Sequence, residues 1–323
     1  MRAIVQDRYG SADILRIEEV EVPHVAANEV LVRVRAAGVD RGVWHLMTGL
    51  PYPIRLAGYG LRTPKTATPG MDLAGVVEAV GADVTSFQPG DEVFGIGTGT
   101  FAEFATALEG KLAPKPANLT FEQAAAIGIS GLTALQALRD SAGVRQGQHV
   151  LIIGASGGVG SYAVQVAKAL GAEVTGVSSA AKAQLVRSLG ADHVFDYAQG
   201  DISCGGLRYD VVIDTGGNRP LAQLRRLLAP SGTLVIVGGE TGGRWLGGFE
   251  RSLRAPLLSG LVGQRLTAMR CSENQADLLV LKDLIEAGQV TPAVDRVFPL
   301  SEAAAAIEYL EQGSARGKVV ITV

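Results

Sequence analysis

This sequence of 323 residues has only two cysteines and no strong excess of charge of one sign. The two cysteines, Cys204 and Cys271, lie far apart and outside any CxxC spacing, which excludes a disulfide framework and a cysteine zinc site. The net charge is −3, and no run of Lys and Arg accumulates into a basic face, which disfavours nucleic acid as the main partner. The scarcity of cysteine fits a reducing compartment.

Long hydrophobic runs are also missing. Apolar runs such as residues 150–153 and 234–237 are far too short to span a bilayer, and residues 1–7 lack the apolar segment of a signal peptide. We therefore expect a soluble, cytoplasmic protein with no membrane partner. A length of 323 residues exceeds what one hydrophobic core usually serves, so we expect two domains.

The first part of the chain has a β pattern. Up to about residue 116, β-branched residues come in short alternating runs such as residues 30–34. Turn-forming residues separate these runs, for example at residues 88–91. This pattern predicts a small, mostly antiparallel β unit.

From about residue 121, helices and apolar strands alternate. Thr120 can cap the first helix, with Gln123 placed to close a capping box. Further elements are predicted as strands at 149–153, 173–177, 193–195, 211–214 and 234–238, and as helices at 161–170 and 181–189. Strands separated by helices predict a parallel sheet with right-handed crossovers.

After about residue 264 the β character returns. Helices are predicted at 276–286 and 301–312, and a closing strand at 318–323. The simplest architecture is a β-rich domain made of residues 1–118 and 265–323. A nucleotide-binding domain at 119–264 interrupts it.

A glycine-rich turn between a predicted strand and a predicted helix is the clearest functional motif. It consists of Gly154, Ala155, Ser156, Gly157, Gly158, Val159 and Gly160. Gly157 and Gly158 would let the backbone approach a pyrophosphate, and Gly160 would allow close packing of helix and strand. A tight turn that binds nothing is the alternative, but the order strand, turn, helix, strand favours a dinucleotide site.

The end of the second predicted strand bears on the choice between NAD and NADP. An NAD site usually has Asp or Glu there, which binds the ribose 2′-hydroxyl. This chain has no acid at that point, and Ser178, Ser179 and Lys182 can instead receive a 2′-phosphate. Lys182 alone is equally well explained as a solvated lysine at a helix start, so the missing acid carries more weight. The sequence favours NADPH.

Motifs rich in glycine and small residues lie along the whole chain. They are Ala37-Gly38-Val39-Asp40, Pro69-Gly70-Met71-Asp72-Leu73-Ala74-Gly75-Val76-Val77, Pro89-Gly90-Asp91-Glu92-Val93-Phe94-Gly95, Gly131-Leu132-Thr133-Ala134, the glycine-rich turn and Gly317-Lys318-Val319-Val320. Together they resemble the medium-chain dehydrogenases/reductases, and among these the zinc-free quinone oxidoreductase (zeta-crystallin-like) branch. The resemblance implies the α/β class, with a Rossmann domain containing a parallel sheet inserted in a GroES-like β-rich domain.

The resemblance also gives meaning to missing zinc ligands. Zinc-dependent relatives carry a Cys in the motif that here ends at Asp40, a His where this chain has Met71, and a third ligand at Ile129. Met and Ile cannot replace thiolate or imidazole at a catalytic zinc. The cysteine-rich lobe that holds structural zinc is missing as well. A carboxylate site formed by Asp40, Asp72 and His45 is the alternative, but no pair of them has a metal-site spacing. We therefore expect no zinc.

Further cofactor contacts are implied by the same resemblance. Lys182 and Tyr197 match the Lys and Tyr that hold the 2′-phosphate in quinone oxidoreductases. Thr133 matches a threonine near the nicotinamide, and Gly238 lies where backbone lines the cofactor cleft. Asp40 occupies a position beside the nicotinamide that is often Asn in this branch.

The expected reaction follows from the missing zinc. Without a strong Lewis acid to polarise a simple ketone, alcohol dehydrogenation is disfavoured. Hydride transfer from NADPH to a quinone or an α,β-unsaturated carbonyl compound needs less help, because the charge spreads onto a conjugated oxygen. Related enoyl reductases place a Tyr near Tyr52, which makes Tyr52 the candidate to bind or polarise the carbonyl. Tyr59 and His45 are alternatives, and Tyr52 is equally well explained by packing in a turn.

Two other functions and the oligomeric state complete the expectations. An enoyl-thioester reductase of fatty-acid or polyketide type uses similar chemistry, and zeta-crystallin-like proteins can act as non-catalytic NADPH-binding proteins. We also expect a homodimer. The apolar strand at residues 234–237 would lie near a sheet edge and pair across a dyad.

Overall fold

The computed structural model describes residues 1–200, 202, 206–217, 219–239 and 243–323. Cys204 lies outside the described residues, and Cys271 is half-buried. Two compact units are distinguished. The first, here called the β-rich unit, comprises Met1–Leu132, Glu273–Ala287 and Pro292–Val323. The second, here called the parallel-sheet unit, comprises Thr133–Ser272 and Gly288–Thr291.

Strands and helices are numbered in chain order. The strands are β1 (Arg2–Val5), β2 (Arg16–Glu19), β3 (Glu29–Val39), β4 (Asp72–Val80), β5 (Glu92–Ile96), β6 (Phe104–Leu108), β7 (Leu112–Pro114), β8 (His149–Ile153), β9 (Glu173–Ser178), β10 (His193–Asp196), β11 (Tyr209–Asp214), β12 (Leu228–Ile236), β13 (Arg265–Ala268), β14 (Val294–Pro299) and β15 (Lys318–Thr322). The α-helices are α1 (Arg41–Thr48), α2 (Phe121–Ala125), α3 (Gly128–Gln136), α4 (Gly158–Ala169), α5 (Ala183–Ser188), α6 (Leu221–Arg226), α7 (Phe249–Ser259), α8 (Gln275–Glu286) and α9 (Ala303–Glu311).

The β-rich unit is built around the long strand β3. Its seven-stranded sheet has the order β14-β15-β3-β4-β5-β7, with β6 also paired to β3. The pairings are antiparallel except for β14 with β15, which is parallel. Along β3, Val30, Val32 and Val34 are buried in the core while Arg33 and Arg35 are exposed. The alternating pattern of the sequence therefore predicted this strand correctly.

The parallel-sheet unit confirms the predicted α/β class. All its described strand pairs are parallel, in the order β10-β9-β8-β11-β12-β13. The chain builds outward from β8 through β9 to β10, and then continues on the other side of β8 with β11. The carboxyl ends of β8 and β11 thus form the topological switch point, where ligands bind in doubly wound sheets.

Two details of this unit differ from the sequence-based expectation. Helix α4 begins at Gly158 and not at residue 161, so that the last glycines of the turn form its first helical turn. The strand β12, which contains residues 234–236, is not an edge strand because β13 pairs with its outer side. Pairing across a dyad through residues 234–237 was therefore a wrong expectation. Strand β13 belongs to the parallel sheet although it lies beyond residue 264, the predicted end of the nucleotide-binding domain. The predicted domain limits remain a prediction.

Helix ends follow from local chemistry. Thr120 and Gln123 form the predicted capping box at the start of α2. Asn274 caps α8, where its side chain accepts a hydrogen bond from the N–H of Asp277. Among the described residues, the helices are too short or too polar to cross a membrane.

Candidate functional site

The glycine-rich turn joins β8 to α4. Gly154 has a φ of +82°, and a Cβ there would lie 2.5 Å from Thr215 Oγ1. A Cβ on Gly160 would lie 2.0 Å from the carbonyl oxygen of Gly154. Both positions therefore need glycine, the first for its backbone conformation and both for the close approach of a neighbour.

The first turn of α4 has the properties of an anion site. The opening N–H groups of an α-helix have no carbonyl partner within the helix, and here they belong to Gly158, Val159 and Gly160. Gly157 is the N-cap residue, and no described side chain caps the helix. The positive end of the helix dipole adds to these donors. A phosphate group is a ligand that suits such an end.

Hydrogen bonds to residues at the ends of the two neighbouring strands hold this turn in place. The hydroxyl of Thr215, which follows β11, donates to the carbonyl oxygen of Ile153 at 2.7 Å. The N–H groups of Gly154 and Ala155 both donate to the carbonyl of Val177 at the end of β9, at 3.2 and 3.1 Å. Ala155 and Ser156 are buried. The turn is thus fixed at the switch point of the sheet.

The predicted 2′-phosphate residues follow two neighbouring strands. Ser178 ends β9 and pairs in register with Asp196 at the end of β10, so that Tyr197 begins next to it. Ser178 is buried, and its hydroxyl donates to the carbonyl of Ser179 at 3.2 Å. Lys182 is half-buried in a short 3₁₀ turn, and Tyr197 is 55% exposed. The topology therefore brings Ser178, Ser179, Lys182 and Tyr197 to one edge of the sheet.

The other half of that edge carries a buried ion pair that the sequence analysis missed. Asp214, at the end of β11, is completely buried, and Arg251 Nη1 of α7 lies 2.8 Å from its Oδ2. Arg251 Nη2 donates to the carbonyl oxygen of Gly238 at 2.9 Å. In the sequence, the acidic residue at the end of the apolar run 211–214 could have indicated this ion pair. Thr133, the other predicted residue of the nicotinamide side, is buried in α3.

In the β-rich unit, the three positions at which the resemblance places zinc ligands make other contacts. Asp40 caps α1, since its Oδ1 accepts a hydrogen bond from the N–H of Val43 at 3.1 Å. Met71 is half-buried, and the N–H of Ile129 donates to Asp72 Oδ1 at 2.9 Å. No group of three His, Cys, Asp or Glu side chains within the described residues is placed to hold a metal ion.

A second buried ion pair lies beside these positions. Lys318 Nζ donates to Asp72 Oδ2 at 3.3 Å and to the hydroxyl of Ser130 at 3.1 Å, and both Lys318 and Asp72 are buried. Burial raises the pKa of Asp72 to about 7, against the opposing effect of Lys318, and the charge of Asp40 raises the pKa further.

The β-rich unit also contains a cavity of about 480 Å³. Its apolar wall includes Met47, Met71 and Ile96, and its polar wall includes Gln6, Tyr59, Thr98, Lys111 and Glu273. Tyr52 is not part of the lining; its ring lies 4.9 Å from the guanidinium carbon of Arg55. His45 Nδ1 lies 2.7 Å from the carbonyl oxygen of Leu50. Of the three proposed carbonyl-binding side chains, Tyr59 therefore borders the cavity.

Comparisons with known proteins decide the family. Residues 26–117 match the family described as Alcohol dehydrogenase GroES-like domain, and residues 189–321 match Zinc-binding dehydrogenase. Quinone oxidoreductase from Rattus norvegicus is 33% identical, with 99% of this chain and 97% of the relative covered. The chain belongs to the medium-chain dehydrogenases/reductases, in their quinone oxidoreductase branch.

Solved structures of this branch have the same fold. The quinone oxidoreductase of Coxiella burnetii superposes with a TM-score of 0.88 at 30% identity, over 100% of this chain and 99% of that one. The quinone oxidoreductase of Escherichia coli, solved in complex with NADPH, superposes with a TM-score of 0.84 at 27% identity, over 100% of both chains. As a member of this family the protein is an oxidoreductase, and the predicted GroES-like and Rossmann folds are confirmed.

Proposed function

We propose that this oxidoreductase transfers hydride from NADPH to a quinone or another small α,β-unsaturated carbonyl compound, without a catalytic zinc ion. The observation that carries the proposal is the identity and contacts of the three residues at the positions where the resemblance places zinc ligands. Asp40 is a helix cap, Met71 is a thioether in the cavity wall, and Ile129 contributes its backbone N–H to Asp72. A conjugated acceptor is the class of substrate that is reduced without a Lewis acid.

The residues of the parallel-sheet unit fit a dinucleotide phosphate. The N–H groups of Gly158, Val159 and Gly160 would hold the pyrophosphate, since no described side chain caps this end of the helix. Ser178, Ser179, Lys182 and Tyr197 would hold the 2′-phosphate. When bound, NADPH would supply the hydride. The NADPH in the Escherichia coli relative supports this choice.

The cavity of the β-rich unit is the proposed site of the acceptor. Its apolar wall suits the ring or chain of a conjugated carbonyl compound, and a hydroxyl donor can stabilise the oxygen on which charge develops. Tyr59 borders the cavity and is the better placed donor, while Tyr52 remains the candidate that the sequence favours. Asp40 remains a candidate for a polar contact beside the nicotinamide.

The proposal is tested by following NADPH oxidation with a quinone, an enone and an enoyl-CoA. We expect turnover with the quinone or the enone, and the enoyl-CoA as sole acceptor would favour the enoyl-thioester reductase instead. Tight NADPH binding with no turnover on any acceptor would favour a non-catalytic protein. Tyr59→Phe and Tyr52→Phe variants then identify the donor, because the variant that lacks it loses turnover while its KM for NADPH is unchanged.

The choice of NADPH over NADH is tested at Lys182. Loss of a charged hydrogen bond to the 2′-phosphate should raise the KM for NADPH about tenfold or more. The Lys182→Ala enzyme should keep its KM for NADH, which has no phosphate at that position. An equal change for both cofactors would contradict the proposed role of Lys182.

We also propose a cytoplasmic homodimer, with a surface different from the one that the sequence suggested. The outer edge of β13 faces no described strand, and α7 packs beside β13. A stripe of exposed apolar side chains lies along and around α7, comprising Trp245, Phe249, Leu253, Leu257 and Leu261. Such a stripe next to an open sheet edge suits a second copy of the chain. A Leu253→Glu/Leu257→Glu variant should sediment as a monomer, and a wild-type monomer at micromolar concentration would contradict the dimer.

A further inference from the structure

Arg251 is buried, although it lies on a helix that has an exposed apolar face. Helix α7 exposes Leu253 and Leu257, whereas Arg251 and Ala255 lie on its buried face. The Arg251 side chain is 10% exposed and meets the fully buried carboxylate of Asp214. A charge so far from water is stable only if it is paired and hydrogen-bonded.

The guanidinium joins three separate segments of the parallel-sheet unit. Nη1 donates to Asp214 Oδ2 at 2.8 Å and to the carbonyl oxygen of Arg219 at 2.6 Å. Nη2 donates to the carbonyl oxygen of Gly238 at 2.9 Å. Arg251 therefore ties α7 to the loop that follows β11 and to the segment that follows β12. The rigid fork of Arg can bind several acceptors at once, which Lys cannot do with the same geometry.

These segments are in direct contact with one another and with the glycine-rich turn. Asp214 Oδ1 accepts a hydrogen bond from the N–H of Gly217 at 3.3 Å. A Cβ on Gly238 would lie 3.0 Å from the carbonyl oxygen of Thr215, and the hydroxyl of Thr215 reaches back to Ile153 before the turn. A shift at Arg251 would therefore move the backbone that borders the switch point.

The position of this network decides which half of a dinucleotide it affects. A doubly wound sheet binds one nucleotide half on each side of the switch point. Ser178, Lys182 and Tyr197 lie on the side of β9 and β10, where the adenosine half is proposed to bind. Gly238 and the loop after β11 lie on the opposite side. That side is left for the nicotinamide half.

We propose that Arg251 is a positioning residue, which fixes the backbone of Gly238, Thr215 and Arg219 in the conformation that receives the nicotinamide half of the cofactor. This inference rests on the proposed use of NADPH. A buried ion pair contributes little to stability compared with well-packed apolar residues. The pair lies at the edge proposed to bind the cofactor, and Arg251 also binds carbonyl groups of two loops. Positioning of these loops accounts for the pair.

The test compares NADPH with adenosine 2′,5′-bisphosphate, which is its adenosine half alone. For Arg251→Met we expect the Kd for NADPH to rise about tenfold or more, because two charged hydrogen bonds to loop carbonyls are lost. The Kd for adenosine 2′,5′-bisphosphate should stay within about twofold. Arg254→Met, on the exposed face of the same helix, is the matched control and should change neither value.

Two further variants keep the test decisive if Arg251→Met is poorly folded. The double variant Arg251→Met/Asp214→Leu leaves no unpaired buried charge and should show the same split between the two ligands. Arg251→Lys keeps the ion pair but not the two loop contacts, and should weaken NADPH binding about as much as Arg251→Met.

Each outcome separates this inference from the proposed function. Equal weakening of both ligands in the double variant would show a general structural role and overturn the positioning role. Unchanged binding of both would overturn it as well. Failure of the wild-type protein to bind NADPH would instead overturn the proposed cofactor, and the inference with it.

Discussion

Among the described residues, each unit contains a carboxylate buried against a cation, and the two pairs are built differently. In the parallel-sheet unit, Asp214 meets an Arg whose fork also binds the carbonyls of Arg219 and Gly238. In the β-rich unit, Asp72 meets Lys318, whose other described acceptor is the hydroxyl of Ser130. The first pair ties loops together at the carboxyl edge of the parallel sheet, and the second ties β15 and β4 to the start of α3.

The comparison shows that Arg and Lys differ as partners of a buried carboxylate. Arg does not lose its proton in proteins, so the cation beside Asp214 is permanent. Lys318 is a compact point charge, and Asp72 has the charge of Asp40 nearby as well as its own burial. The pKa of Asp72 is raised to about 7 as a result. We therefore expect the second pair to respond to pH.

Loss of the carboxylate from the Asp214–Arg251 pair should have the largest effect on the free energy of unfolding. Asp214→Asn leaves the Arg251 charge buried without a counter-ion, and breaking such a pair costs about 3–5 kcal/mol of unfolding free energy. Urea denaturation at pH 7 measures the change, with Arg254→Met as the exposed control. A cost below about 1 kcal/mol would mean that the two pairs do not differ in the proposed way.

Removal of the cation from the Lys pair should cost less. In Lys318→Met the carboxyl of Asp72 can take up a proton, so the penalty is that of a buried neutral polar group, about 1–3 kcal/mol. The same urea experiment at pH 6 and pH 8 should give a larger loss at pH 8, where keeping that proton is more costly. A loss independent of pH would contradict this explanation.

The pH dependence of the wild-type protein gives the third test. Asp72 keeps its proton in the folded state up to about pH 7, whereas an unfolded Asp releases it near pH 4. The folded state therefore binds more protons in this window, and the free energy of unfolding falls as the pH rises from about 5 to 7. One proton corresponds to a slope of at most about 1.4 kcal/mol per pH unit.

The contribution of Asp72 is obtained as the difference between the wild type and Asp72→Asn, which has no titrating group at this position. The slope between about pH 5 and 7 should be more negative in the wild type. Equal slopes in both proteins would show that Asp72 is ionised throughout this range.

The smallest effect is expected for an exposed ion pair between neighbouring strands. Arg33 Nη2 lies 2.6 Å from Glu78 Oε2, but the two side chains are 48% and 38% exposed. Water screens such a pair, so Glu78→Gln should cost less than about 1 kcal/mol. A larger loss in urea denaturation would mean that burial is not what separates the strong pairs from the weak one.

Much of the fold was predictable because its determinants are local. The capping box of Thr120 and Gln123 spans four consecutive residues, and the alternation along β3 follows from the geometry of one strand. The strands β8, β9, β10 and β11 were predicted within a few residues of their ends. The start of α4 was missed, because glycines are poor helix formers that here are held helical by packing at Gly160.

Other features depend on contacts between distant parts of the chain. The edge strand is β13 and not β12, because β13 adds to the sheet after a long connection. No local pattern at residues 234–237 indicates this. Tyr59 rather than Tyr52 borders the cavity, since the path of the intervening turn decides which side chain reaches it.

The sequence by itself determined the two-part fold, the glycine-rich turn and the family, since each rests on motifs of a few neighbouring residues. Only the tertiary structure decided which charges meet. Asp214 and Arg251 are 37 residues apart, and Asp72 and Lys318 are 246 residues apart. A buried charge finds its counter-ion in the folded chain and not in the local pattern, because burial itself arises from the packing of distant segments.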